Sequence, residues 1–96
     1  MILLEPRHFD LVKKILETVP YTFYVFGSRA KGTARALSDL DLCYKGPVDE
    51  RGISRLIEAF EESDLPFTVD LVDLNRCSPE FRSMIEPDLV EFPKIF

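Results

Sequence analysis

The sequence predicts an α/β fold in which a small mixed β-sheet is covered by helices. Segments with helical periodicity alternate with short runs of β-branched and aromatic residues. Their order along the chain is helix, strand, strand, helix, strand, helix, which is typical of a helical layer packed on a sheet. A chain of 96 residues can form one small core, so we expect a single domain over residues 1–96.

The first elements follow from local patterns. Apolar residues recur every three or four positions over residues 8–19, which predicts an amphipathic helix that Pro20 ends. The run YTFYVF at residues 21–26 predicts a buried strand that leads directly into Gly27. Residues 27–38 are small, polar and basic, so we expect one helical turn or a loop there.

A second strand is predicted over residues 39–44, where acidic and apolar residues alternate. Because side chains alternate between the faces of a strand, Asp39 and Asp41 should share one face. Leu40 and Leu42 should occupy the other face.

The remaining elements come from caps and periodicity. Asp49 can cap a helix, and Ser78 followed by Pro79 can begin another. The run FTVDLVDL at residues 67–74 predicts a third strand between them. The run at residues 89–96 either adds a short edge strand or packs as an apolar tail. The predicted buried stripes of the two helices are Ile53, Leu56, Ile57 and Phe60 in the first, and Phe81, Met84 and Ile85 in the second.

Composition excludes several classes of protein. With 17 acidic and 12 basic residues the net charge is −5, so a broad nucleic-acid surface is not expected. The two cysteines, Cys43 and Cys77, lie apart and predict buried thiols in a reducing compartment. No apolar run approaches the roughly 20 residues of a membrane span, and the N-terminal segment lacks the plan of a signal peptide. We therefore expect a cytoplasmic protein that does not contact membranes.

Carboxylates and a glycine turn predict phosphate chemistry. Asp39 and Asp41 are close enough on one strand face to hold hard divalent cations, although a lone pair of this kind is a weak signal. Gly27 and Ser28 end a strand, where glycine permits close approach and backbone amides can face a phosphate. Asp70 lies within an apolar strand, which is costly unless the carboxylate is paired, protonated or bound to metal.

Two cations, Arg29 and Lys31, follow the glycine turn and are predicted to bind nucleotide, although charged loop residues are often only solvated. Three carboxylates beside a phosphate-binding turn are the components of two-metal phosphoryl or nucleotidyl transfer. Asp70 could alternatively be a structural carboxylate paired with an arginine. Asp73 is predicted to cap a turn rather than to bind metal, and His8 to lie on a solvated helix surface.

The run FGSRAKGTARALSDLDL resembles the signature of the polymerase-beta-like nucleotidyltransferase superfamily, and VDLVDL resembles its third-carboxylate strand. The resemblance extends over residues 8–74 and is greatest to minimal nucleotidyltransferases (MNT), which are commonly encoded beside a helical HEPN partner. It implies that Gly27 and Ser28 contact the triphosphate. It also implies that Asp39, Asp41 and Asp70 ligate Mg²⁺ at a two-metal site, with Asp70 activating the attacking hydroxyl.

The activity that this resemblance implies is transfer of AMP from ATP to a tyrosine of a HEPN ribonuclease toxin, which would make the protein an antitoxin. A hetero-oligomer with that partner is one arrangement consistent with it. Two alternatives remain open from the sequence. One is a nucleotide-binding module that neutralises or scaffolds a helical partner by contact, and the other is a small-molecule nucleotidyltransferase. A P-loop is excluded because Thr33 occupies the position that requires lysine.

Overall fold

A computed structural model describes residues 2–92 of the chain. Its four strands are β1 (Phe23–Phe26), β2 (Leu40–Tyr44), β3 (Val69–Asp73) and β4 (Val90–Phe92). They form one sheet in the order β3-β2-β1-β4. Strand β1 is antiparallel to both β2 and β4, whereas β2 and β3 are parallel. The predicted mixed sheet is therefore confirmed.

The helices are α1 (Pro6–Leu16), α2 (Ser28–Lys31), α3 (Glu50–Glu61) and α4 (Pro79–Ile85), with 3₁₀ turns at Leu74–Arg76 and Glu86–Asp88. Helix α1 begins two residues before the predicted start, because Pro6 fits the first turn of a helix. Helix α3 connects the parallel strands β2 and β3, which cannot be joined by a tight turn. Among the described residues, no helix has the length and apolar character needed to cross a membrane.

Both predicted helix caps are confirmed. The side chain of Asp49 accepts a hydrogen bond from the backbone N–H of Arg51 at 3.0 Å. The side chain of Ser78 accepts one from the N–H of Phe81 at 3.2 Å. The predicted edge strand is also confirmed as β4, and residues 93–96 of that apolar run lie outside the described residues.

The two faces of the sheet carry separate apolar clusters. One face packs against α1 and α3 and forms the larger core. It includes Phe23 and Val25 from β1 and Leu40 and Leu42 from β2, as the alternation in β2 predicted. The other face holds Phe26, Cys43 and Leu74, against which Phe81 and Ile85 of α4 pack. Asp41 and Asp70 alternate with the core residues of their strands and so lie on this second, less covered face.

Two residues assigned to buried stripes are exposed. Ile57 is 44% exposed, because the buried arc of α3 is centred on Leu56 and Phe60 and ends near Ile53. Ile57 lies about 40° beyond Ile53 around the helix. Met84 is 72% exposed, whereas Phe81 and Ile85 of the short helix α4 pack on the apolar cluster of the sheet. The predictions for Ile57 and Met84 were therefore wrong.

This corrected face of α3 gives a stability test. Leu56→Ala should lower the free energy of unfolding by about 2–5 kcal/mol, because it creates a cavity in the core. The matched variant Ile57→Ala on the same helix should change it by about 0.5 kcal/mol or less. Urea unfolding followed by circular dichroism measures both values. Equal losses in the two variants would contradict the observed orientation of the helix.

Candidate active site

The glycine turn lies directly against a carboxylate. Gly27 has φ +75° and ψ −155°, a conformation that is strained for any residue with a side chain. A Cβ atom at this position would collide with Oδ2 of Asp41. Helix α2 starts at the next residue, Ser28, and its first turn is closed by the N–H of Lys31 donating to the carbonyl of Gly27 at 3.1 Å. Glycine is thus required both by the backbone conformation and by the approach of Asp41.

Two of the predicted carboxylates lie side by side on neighbouring strands, and the third precedes one of those strands. Asp41 of β2 lies opposite Asp70 of β3 in the parallel register, so their side chains share a face on strands about 4.8 Å apart. Asp39 immediately precedes β2 and is exposed, while Asp41 is partly buried. Asp70 is exposed as well, because β3 is an edge strand. The expectation that Asp70 is buried at a cost was therefore wrong, although its place beside Asp41 agrees with the prediction.

The electrostatics of Asp41 reflect this crowding. Burial raises the pKa of Asp41 above its ordinary value of 3.8, and the negative charges of Asp70 and Asp39 raise it further. Carboxylate oxygens are the ligands that Mg²⁺ prefers, so the chemistry of this donor set fits a hard divalent cation. Within residues 2–92, however, no three acidic, histidine or cysteine side chains converge in the geometry of a metal site.

Arg29 has a role that the sequence did not predict. It is 5% exposed, and its guanidinium donates hydrogen bonds to backbone carbonyls of the chain instead of facing the glycine turn. It also stacks 4.3 Å from the centre of the Phe67 ring. The structure thus replaces the predicted nucleotide contact of Arg29 with contacts inside the fold. The accepting carbonyls belong to Leu3, Arg35, Ala36 and Ser38.

The other predicted polar residues occupy separate places. The side chain of Lys31 is 55% exposed, and its Nζ lies 3.8 Å from Oδ2 of Asp88, a surface pair of little stability. Asp73 caps the following turn by accepting from the N–H of Asn75 at 2.9 Å, as predicted. His8 does not lie on a solvated surface, because its side chain is only 14% exposed and packs edge-on against Phe67.

Comparison with known proteins identifies the family. The sequence matches the family described as "Polymerase beta, Nucleotidyltransferase" over residues 11–88. It is 51% identical over 79 residues to "Probable protein adenylyltransferase MntA" of Haemophilus influenzae, covering 78% of this chain and 69% of that protein. The chain belongs to the polymerase beta nucleotidyltransferase family, and its resemblance to minimal nucleotidyltransferases is confirmed.

Solved structures agree with this assignment. A toxin–antitoxin crystal structure with AMP-PNP superposes with a TM-score of 0.65 at 26% identity, covering 86% of this chain and 70% of that one. A Sulfolobus solfataricus protein described as a candidate nucleotidyltransferase gives a TM-score of 0.52 at 24% identity, covering 90% and 79%. The second match supports the fold alone.

The close approach of Gly27 to Asp41 can be tested by adding one methyl group. Gly27→Ala should destabilise the protein by about 1–3 kcal/mol, because it strains the backbone and displaces the Asp41 carboxylate. Gly32 also has a positive φ, but no atom lies within 4 Å of a Cβ there. Gly32→Ala should therefore cost about 1 kcal/mol. Chemical denaturation compares the two, and a larger loss in Gly32→Ala would contradict the predicted collision.

The raised pKa of Asp41 predicts a pH-dependent effect on stability. A carboxyl with a higher pKa in the folded state favours folding below its unfolded pKa, and that contribution is lost as the pH rises through the folded value. Ionised Asp41 therefore opposes folding at pH 7. Asp41→Asn should raise Tm in metal-free buffer at pH 7, and the gain should disappear near pH 3.8 and below, where the wild-type carboxyl is protonated.

Calorimetry between pH 3 and pH 8 measures that difference. The control is Asp10→Asn, which removes an exposed carboxylate from α1 and should leave Tm nearly unchanged. A lower Tm for Asp41→Asn at pH 7 would contradict the prediction, because it would show that interactions within the fold stabilise the ionised carboxylate.

Proposed function

We propose that this nucleotidyltransferase transfers AMP from ATP to a tyrosine hydroxyl of a HEPN-type ribonuclease toxin and so acts as its antitoxin in the cytoplasm. The observation that carries the proposal is the position of Asp41, opposite Asp70 and against the Gly27 turn. It puts carboxylates beside a backbone turn suited to phosphate, as nucleotidyl transfer requires. The similarity to MntA and to a toxin–antitoxin structure with AMP-PNP supports the choice of ATP and of a toxin partner.

In this proposal the glycine turn binds the nucleotide. The backbone of Gly27 and the N–H groups at the start of α2 face the triphosphate, because the first N–H groups of a helix have no partner within it. The hydroxyl of Ser28 and the exposed ammonium of Lys31 add further donors at the same turn. Lys31 can leave its 3.8 Å surface pair with Asp88 at little cost.

The carboxylates would hold Mg²⁺, and one of them would accept a proton. Asp39 and Asp41 are the proposed ligands, with Asp70 as a further ligand and as the base. When bound, Mg²⁺ neutralises the repulsion among these groups and polarises the phosphate oxygens. Asp70 accepts the proton of the tyrosine hydroxyl while the phenolic oxygen bonds to the α-phosphorus. The bond from that phosphorus to the bridging oxygen breaks, and pyrophosphate leaves.

The exposure of Asp70 suits a macromolecular acceptor. Because β3 is at the edge of the sheet, this carboxylate is open to solvent and can be reached by a side chain of another protein. Helix α4 covers the same sheet face around Phe26 and Cys43 and leaves the position of Asp70 open. A tyrosine presented by a partner could therefore approach Asp70 without rearrangement of the core.

A transfer assay tests the proposal. ATP labelled at the α-phosphate is incubated with Mg²⁺, this protein and its HEPN-type toxin, and label on the toxin is measured. We expect Asp39→Ala combined with Asp41→Ala to abolish labelling, and EDTA to do the same. Asp70→Asn should lower the rate by about 10²–10⁴-fold, because it removes the base. The control Asp64→Asn, at an exposed position between α3 and β3, should retain the wild-type rate.

An assay of toxin neutralisation in cells distinguishes an enzyme that modifies the toxin from a module that neutralises it by contact. If the double alanine variant protects cells as fully as the wild type, neutralisation occurs by contact and the enzymatic proposal is contradicted. Labelling of a small molecule in place of the toxin would instead identify a small-molecule nucleotidyltransferase.

A further inference from the structure

We infer that Arg29 is a positioning residue, which holds Asp39 at a set distance from the Gly27–Ser28 turn. The inference rests on the proposed function, because it concerns the geometry of that site. It gives Arg29 a role that is distinct from binding the nucleotide. Arg29 lies one residue after Ser28, on the short helix that follows the glycine turn.

The first contact joins Arg29 to the residue before Asp39. Its Nε donates to the carbonyl oxygen of Ser38 at 3.1 Å, and its Nη2 donates to the same oxygen at 2.8 Å. Nη2 also donates to the carbonyl of Ala36 at 3.2 Å. A planar guanidinium has its donors in a rigid arrangement, so these bonds fix the direction of the loop as well as its distance. The loop delivers Asp39 immediately after Ser38.

The second set of contacts anchors Arg29 from the other side. Its Nη1 donates to the carbonyl of Leu3 at 2.9 Å, while the N–H of Leu3 donates to the carbonyl of Arg29 at 2.9 Å. The guanidinium stacks on Phe67, three residues before Asp70. The N–H of Leu40, next to Asp39, donates to the carbonyl of Thr68 at 2.9 Å. One side chain therefore touches the segments that lead to two of the three carboxylates.

Burial argues against a direct nucleotide contact. Arg29 is the one charged residue with a buried side chain in the described part of the chain, at 5% exposure. Each of its three guanidinium nitrogens already donates to a backbone carbonyl. Reaching a phosphate would break bonds to several buried carbonyls, which is costly when no replacement donor is present. A lysine cannot replace it, because a single ammonium cannot reach carbonyls that lie around a planar fork.

The experiment compares Arg29→Lys and Arg29→Gln with wild type and with Arg35→Gln. Arg35 is an exposed arginine of the same loop whose side chain makes no hydrogen bond to the described residues. Four quantities are measured below the unfolding temperature of each variant. They are the affinity for Mn²⁺, the values of kcat and KM for ATP in the labelling assay, and hydrogen exchange over residues 33–39.

For both Arg29 variants we expect Mn²⁺ affinity to fall 10- to 100-fold, as when a residue that orients a metal ligand is lost. We expect kcat to fall on the order of 10²-fold, with KM for ATP within about threefold of wild type. Hydrogen exchange over residues 33–39 should accelerate. Arg29→Lys should be no closer to wild type than Arg29→Gln in any of these values. Arg35→Gln should match wild type in all of them.

Three results would overturn the inference. Wild-type kcat and Mn²⁺ affinity in variants with a lowered Tm would show that Arg29 only supports the fold. A raised KM with unchanged kcat would show a nucleotide contact. Unchanged exchange over residues 33–39 would show that Arg29 does not hold the loop.

One further variant and two activity-independent measurements keep the inference testable. If the Arg29 variants do not fold, Phe67→Leu removes the stacking on the guanidinium, together with the edge-on contact of His8, and keeps the hydrogen bonds of Arg29. It should give smaller changes in the same direction, and wild-type values there would overturn the inference. If the wild type itself transfers no nucleotide, the proposed function fails. Mn²⁺ affinity and loop exchange then decide the positioning role separately.

Discussion

The parallel pairing of β2 with β3 is the constraint on which the site depends. It sets Asp41 opposite Asp70 and orients both away from the core beneath α1 and α3. A slip of one residue in either strand would exchange the two faces and drive a carboxylate into that core. The leucines of β2, both fully buried, oppose such a slip, because it would expose them. The hydrophobic core thus sets the register that brings the carboxylates together.

The same register creates an electrostatic cost. Asp41 is partly buried, has two carboxylate neighbours, and lies against a glycine whose backbone conformation would be strained for any other residue. Partial burial of a carboxylate and its crowding by like charges both disfavour folding. Several unfavourable features in one place are characteristic of functional sites. The rest of the chain supplies the compensation, through an apolar core on one face and a second cluster under α4 on the other.

The periodicity of the sequence was sufficient to predict the sheet, its helices and the face of the carboxylates, because alternation and helical spacing record which side is buried. It did not show that β3 is an edge strand, so Asp70 was expected to be buried when it is exposed. Strand order depends on long-range pairing, which no local pattern encodes. The exposure of Ile57 and Met84 was missed for a similar reason. How much of a helix surface is buried depends on the elements that pack against it, and spacing along the sequence does not show this.

Arg29 and Lys31 show that a position next to the glycine turn in the sequence does not determine what a side chain contacts. Both follow the glycine turn, yet the guanidinium is buried beneath the loop and the ammonium is exposed to solvent. Burial lowers the pKa of Arg29 below its ordinary value, and the negative charge of Asp39 opposes that change, so cation and carboxylate are close enough to interact.

Asp39 and Asp41 are therefore not equivalent. Asp39 has a permanent cation nearby, whereas the influences on Asp41 are burial and two further carboxylates, all of which disfavour its charge. A divalent cation would relieve the greater electrostatic cost at Asp41. All of the influences on Asp41 therefore oppose its ionisation, whereas Asp39 has the positive charge of Arg29 nearby.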